Sequence, residues 1–220
     1  MFIGHFGVAL AAKRAAPRAS LGALFFATQF ADLLWPILLI RDIEHVRIAP
    51  GITAVTPFDF YDYPISHSLV TLFGWALLVG LGYFAITRYA RGAWLMGAGV
   101  LSHWFLDVLM HRPDLPLWPA GPKAGLGLWN SWTASIVLEI LVFSLGLWIY
   151  VRFTSPQDAI GRYAFWSLMA LLFFGWISSL IAGAPPSERA IAWGALFMWI
   201  AVPWGWWADK HRSASLKSGN

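Results

Sequence analysis

Six apolar runs, each about one bilayer crossing long, constrain this chain more than any other feature. They cover 19–40, 66–87, 92–110, 131–153, 163–183 and 190–208. A hydrocarbon core about 30 Å thick takes roughly 20 apolar residues per helix, and none of the runs greatly exceeds that. They lack period-two alternation and are too long for the strands of an outer-membrane barrel. Only 12% of the residues are charged and 59% are hydrophobic, outside the usual range of a soluble domain. The predicted fold is an all-α integral membrane protein, with about six transmembrane helices forming a single domain over 1–210. A disordered polar tail is expected over 211–220.

The opening stretch "FIGHFGVALAA" is too short to span a bilayer. It is expected as a short N-terminal re-entrant or interfacial helix, turned into the first span by "KRAAPR". Its basic residues follow the apolar part, unlike a cleavable signal peptide. Basic residues collect on the cytoplasmic side. With the N-terminus inside, ten of the 15 Lys and Arg residues fall there, among them Lys13, Arg14, Arg88, Arg91 and Arg152. Both termini are therefore expected in the cytoplasm, and the net charge of +4 needs no nucleic-acid partner. The 15 Trp residues gather where the helices should end, as anchors at the headgroup level. Cysteine is absent, which excludes disulfides, thiolate metal sites and thiol nucleophiles. The segment 41–65, with its aromatic run "FDFYDY", is expected as an ordered outer loop folded back on the bundle.

Ionisable side chains inside hydrocarbon cost roughly 2.5 to 3.5 kcal/mol each, so they face one another or a wet cavity. Asp32 lies in the outer half of the first run, His67 opens the second, His103 and Asp107 lie in the third, and Glu139 lies in the fourth. Four helices thus aim such a group at a similar depth. A spacing of four sets His103 and Asp107 on one helix face, within reach of one divalent ion. His111 is a further eight residues from His103, a helical rise of about 12 Å, which puts it at the rim. Imidazole and carboxylate without thiolate suit Zn²⁺, with Mn²⁺, Fe²⁺ or Ni²⁺ as alternatives. An ion so held could lower the pKa of its water to near 7 for ester or phosphoester cleavage. A G-x-S-x-G elbow that would supply a serine nucleophile is missing from the sequence.

Three functions compete for these groups. A metal-dependent hydrolase would act on a lipid-like or membrane-accessible ester, with Glu139 or Asp62 as base and Arg112 or Lys123 steadying a phosphate. A divalent-cation or proton transporter would use the same groups as a path. A non-enzymatic assembly protein would use them only as interhelical hydrogen bonds, worth on average about 0.6 kcal/mol each. The partners expected are membrane lipid and a small ester substrate, with a homo-oligomer open.

The set "GHFGVAL", "FADLLWP", "SHSL" and "LSHWFLDVLMHRPDLPLWP" resembles a bacterial family of predicted membrane-bound metal-dependent hydrolases, long catalogued as a domain of unknown function. The likeness spans roughly residues 4 to 140. It implies a metal held by His5, Asp32, His67, His103 and Asp107, a hydrolytic activity, and a place in the bacterial inner membrane. This chain departs from the family at "YDYPISHSL", where members carry His-Arg-Gly-x-Thr-His-Ser. It departs again at "MHRPD", where members carry a Thr-rich turn; His111 and Arg112 there occupy positions open to a second ligand and an anion contact.

Overall fold

The computed structural model describes residues 1–214. Five stretches are helices long and apolar enough to cross a membrane: α5 (Leu69–Thr87), α6 (Ala90–Met110), α7 (Trp132–Phe153), α8 (Ala159–Ile181) and the composite Glu188–Lys210. The composite joins α9 (Glu188–Ala195) to α10 (Ala201–Lys210) through a 3-10 turn. A sixth span exists if α2 (Leu21–Thr28) and α3 (Phe30–Ile40) count as one, bent by 60° at Gln29. Short polar caps start most of these helices. The side chains of Ser20, Ser68, Ser131, Asp158 and Ser187 each accept a backbone N–H of the first turn, which would otherwise lack an acceptor. The outward faces of α5, α7 and α8 are apolar, with Leu81, Ile86, Leu141, Phe174 and Ile181 all exposed.

The first helix, α1 (Ile3–Ala15), overturns the interfacial option. It is packed inside the bundle against α7, α2 and α6, with Ile3, His5, Phe6, Leu10 and Lys13 all buried. Its approach to α7 is backbone on backbone: a Cβ built on Gly146 would stand 1.9 Å from the carbonyl oxygen of Gly7. A rise of 1.5 Å per residue makes α1 about 20 Å long. Met1 therefore lies deep in the bundle, at the opposite end of α1 from Lys13.

The segment 41–65 forms an antiparallel hairpin of β1 (His45–Ile48) and β2 (Phe58–Asp62), then the single turn α4 (Pro64–His67). Glu44, Val46 and Tyr63 are buried beneath it. Beyond α6 the chain folds back through β3 (Leu115–Pro116) and β4 (Lys123–Ala124) to a 3-10 turn at Leu128–Asn130. Within the expected tail 211–220, β6 (Arg212–Ala214) is ordered and pairs with β5 (Thr154–Pro156). The rest of that tail lies outside the described residues.

Candidate metal centre

Asp107 is the hub of a buried cluster on the inner face of α6. Its Oδ2 lies 3.2 Å from His103 Nε2, 3.8 Å from His111 Nε2 and 3.9 Å from His67 Nε2. Its Oδ1 lies 3.1 Å from His5 Nε2 and 2.5 Å from the amino group of Met1. Asp32 Oδ1 stands 3.4 Å from His67 Nε2 and 3.7 Å from His103 Nε2. Two overlapping sets, His5 with His103 and Asp107, and Asp32 with His67 and His103, have ligand atoms close enough to hold a metal ion.

Each element delivers its ligand for a local reason. The break at Gln29 frees carbonyls at the end of α2, and that of Thr28 accepts a hydrogen bond from His103 Nδ1 at 2.8 Å. A carbonyl can only accept, so His103 carries its proton on Nδ1. At His67, Nδ1 lies 2.7 Å from Ser66 Oγ, which donates its one proton to Glu44 Oε2 at 2.5 Å. Ser66 must then accept from His67, which places that proton on Nδ1 as well. Glu44 is held in turn by the N–H groups of Ile65 and Ser66, at 2.6 and 2.8 Å, at the start of α4. His111 Nδ1 faces the carboxylate of Asp114 at 2.9 Å, again a group that only accepts.

With Nδ1 committed in this way, Nε2 of His67, His103 and His111 faces carboxylate oxygens, and where Nε2 carries no proton, acceptor faces acceptor. Only protons or a cation between them relieve that repulsion. His103 Nε2 is buried and makes no hydrogen bond, and His5 Nδ1 is likewise unpartnered. The His5 ring stacks on that of His103, with centroids 3.8 Å apart. Donor set and orphaned nitrogens thus both fit a divalent ion. Aromatic rings close the cluster on the hairpin side. Trp129 and Phe60 lie 4.2 and 5.1 Å from the His111 ring, and Tyr63 lies 5.0 Å from that of His67. The Asp32 side chain keeps 19% exposure, the most of any member.

The other residues expected at the site sit around it. Glu139 accepts from the N–H groups of Phe2 and Gly4, at 2.6 and 2.8 Å, so its carboxylate holds the start of α1 and thereby His5. Asp62 pairs with His45 at 2.7 Å on the exposed hairpin, and that hydrogen bond pushes the imidazole above its ordinary pKa. Arg112 is tied to Asp59 and, at 3.0 Å, to Asp114. Lys123 donates to the carbonyl of Tyr61. His111 corrects the expectation of a rim position: α6 stops at Met110, His111 turns extended at ψ 144°, and its ring is buried beside Asp107.

Sequence reasoning missed Glu44, Asp114 and the Thr28 carbonyl. One signal was present for the turn that brings Asp114 inward: Pro113 disfavours helix at Arg112. Glu44 gave none, since its partner is 22 positions away. No family model, no curated protein and no solved structure matches this chain, so the chemistry of the centre is argued from its own side chains.

Proposed function

We propose that this chain is a membrane-embedded metal-dependent hydrolase acting on a lipid-like or membrane-accessible ester or phosphoester. The observation that carries it is the set of Nε2 atoms turned toward Asp32 and Asp107, with Nδ1 of His67 and His103 committed behind. Two carboxylates enter the bundle here and the Met1 ammonium offsets only one of them, while buried charge without a counterion costs several kcal/mol per ion. A cation among Asp32, His67, His103, Asp107 and His5 would offset the remainder. Nitrogen and oxygen donors favour zinc, with manganese, iron or nickel as alternatives. Such an ion supplies Lewis acidity and draws the pKa of water toward 7.

The protein's own residues do the rest. Glu44 with Ser66, and the Thr28 carbonyl, hold two imidazoles in the tautomer that presents Nε2. Phe60, Tyr63 and Trp129 exclude bulk water, which strengthens every electrostatic contact inside. The exposed edge of Asp32 is where a substrate oxygen would arrive. The apolar faces of α5, α7 and α8 lie in lipid, and the basic Lys13 end faces the cytoplasm.

Elemental analysis of detergent-purified protein tests the proposal, with about one or two transition-metal equivalents per chain expected. A panel of chromogenic esters and phosphoesters should be cleaved, with loss on chelation and recovery on adding Zn²⁺. Absence of metal after metal-supplemented purification, or unchanged metal content in folded Asp107→Ala, overturns the metal centre. Metal without turnover on any substrate overturns hydrolysis alone. The 60° break between α2 and α3 beside Asp32 favours a second reading, divalent-cation transport, because transporter sites are built on discontinuous helices. Flux of the bound ion into proteoliposomes would select that reading.

A further inference from the structure

The buried imidazole just beyond α6 turns its Nε2 to within 3.8 Å of Asp107 Oδ2, although it belongs to neither His/Asp set named above. We infer that His111 is a further metal ligand and that Asp114 is its positioning residue, gripped by Tyr63 and Arg112. This rests on the metal centre proposed above.

The chain is built to bring His111 inward. The His111 N–H closes the last turn of α6 on the Asp107 carbonyl at 2.8 Å, and the backbone then leaves the helix. Pro113 enforces that exit, because the residue before a proline is pushed out of the helical region. A tight turn follows, with the Asp114 N–H on the Arg112 carbonyl at 2.5 Å. The returning strand clamps the exit. The Gly127 N–H donates to the His111 carbonyl at 2.7 Å, and Gly125, at φ +156°, lies so near that a Cβ built on it would stand 2.0 Å from the Arg112 carbonyl. Only glycine permits that approach.

With its backbone fixed, the ring has one orientation to satisfy. Asp114 is itself buried, and both its oxygens are held. Oδ1 takes the Tyr63 hydroxyl at 3.3 Å and His111 Nδ1 at 2.9 Å, and Oδ2 takes Arg112 Nε at 3.0 Å. Arg112 is anchored in turn to Asp59 on the hairpin. The Tyr63 hydroxyl is buried and lies 3.3 Å from both Asp114 Oδ1 and His111 Nδ1. The arrangement is a carboxylate–imidazole pair whose free nitrogen points at Asp107 Oδ2, 3.8 Å away. A carboxylate behind a ligating histidine fixes its tautomer and raises its basicity. A carboxylate would also satisfy the N–H of a buried structural histidine; what marks a ligand is the second nitrogen turned toward Asp107.

Titration of the full-length protein in detergent with Co²⁺ alone, read by visible absorption and by competition with a chelator, tests the assignment. Wild type is expected to bind, and Asp114→Asn to bind about 10- to 100-fold more weakly with its absorption bands in place. His111→Ala should weaken binding at least as much and also shift the bands, because a nitrogen donor is lost. His111→Gln, closer in size, repeats the measurement if the alanine variant does not fold. Folded His111 variants that bind Co²⁺ with wild-type affinity and spectrum overturn the ligand assignment and leave the centre standing. A wild-type protein that binds no Co²⁺ overturns both.

Discussion

At its C-terminal end α1 meets Asp209 through Lys13, and at its N-terminal end it meets Asp107 through His5. Both ends are buried and both carry charge, yet they are finished differently. Lys13 donates to Asp209 at 2.5 Å and to the Ala19 carbonyl at 2.8 Å. Asp209 also accepts from Tyr150 at 2.7 Å and from the Leu21 N–H at 3.1 Å. There each charge has its opposite and each donor an acceptor, so the cluster does nothing but tie α1, α2, α7 and α10 together. Around Asp107 the Met1 ammonium is the one cation at hand, two nitrogens stay unpartnered, and Nε2 atoms face carboxylates. Satisfied polar groups hold a fold, whereas this cluster keeps donor atoms that could hold a metal ion.

The sharpest way to break this contrast is Asp107→Ala. Losing the hub should cut metal content from about one equivalent to near zero, a larger effect than the 10- to 100-fold typical of outer-sphere changes; elemental analysis of the folded variant checks it. At the other end Asp209→Ala strands a buried ammonium. About 3–5 kcal/mol of stability should go, visible as a lower unfolding midpoint, with metal per folded chain unchanged. Should Asp209→Ala instead release metal, the two ends are one unit and the contrast fails.

Glu44→Gln sharpens the comparison at the site itself. It weakens the hold on Ser66 and hence on His67, and metal affinity should fall about 10- to 100-fold by chelator competition. Gly146→Ala forces α1 off α7, between the two clusters. Overpacking of this kind costs typically 1–3 kcal/mol, to be read from denaturant midpoints, and both clusters should feel it. The smallest effect concerns the hairpin. Its His45 has a folded pKa raised above 6.5 by the hydrogen bond to Asp62. The contribution to stability is full below pH 6.5 and is lost as pH rises through the folded value. At such an exposed pair it amounts to under about 1 kcal/mol; hairpin amide exchange between pH 6 and 9 would register it.

The long spans were legible because lipid-length apolar runs have few alternatives. The convergence of Asp32, His67, His103 and Asp107 was legible too, since each is an ionisable group where polarity is costly. The break in the first span was not. Pro36 sits within α3, while the bend falls at Gln29, where "ATQFA" holds no glycine or proline. His111 was misjudged because a helical rise was carried past Met110, although Pro113 marks the end of that helix. Glu44 and Asp114 act through contacts far along the chain or across a turn, which spacing rules do not see.

The burial of α1 against α7 bears on the order of assembly. These helices are separated by more than a hundred residues of chain, so α1 gains its principal neighbour only after the intervening helices have emerged. Contacts so distant along the chain slow folding. A chain halted before Trp132 would therefore leave the segment that carries His5 with α2 and α6 to pack on, but without Glu139 to hold its start.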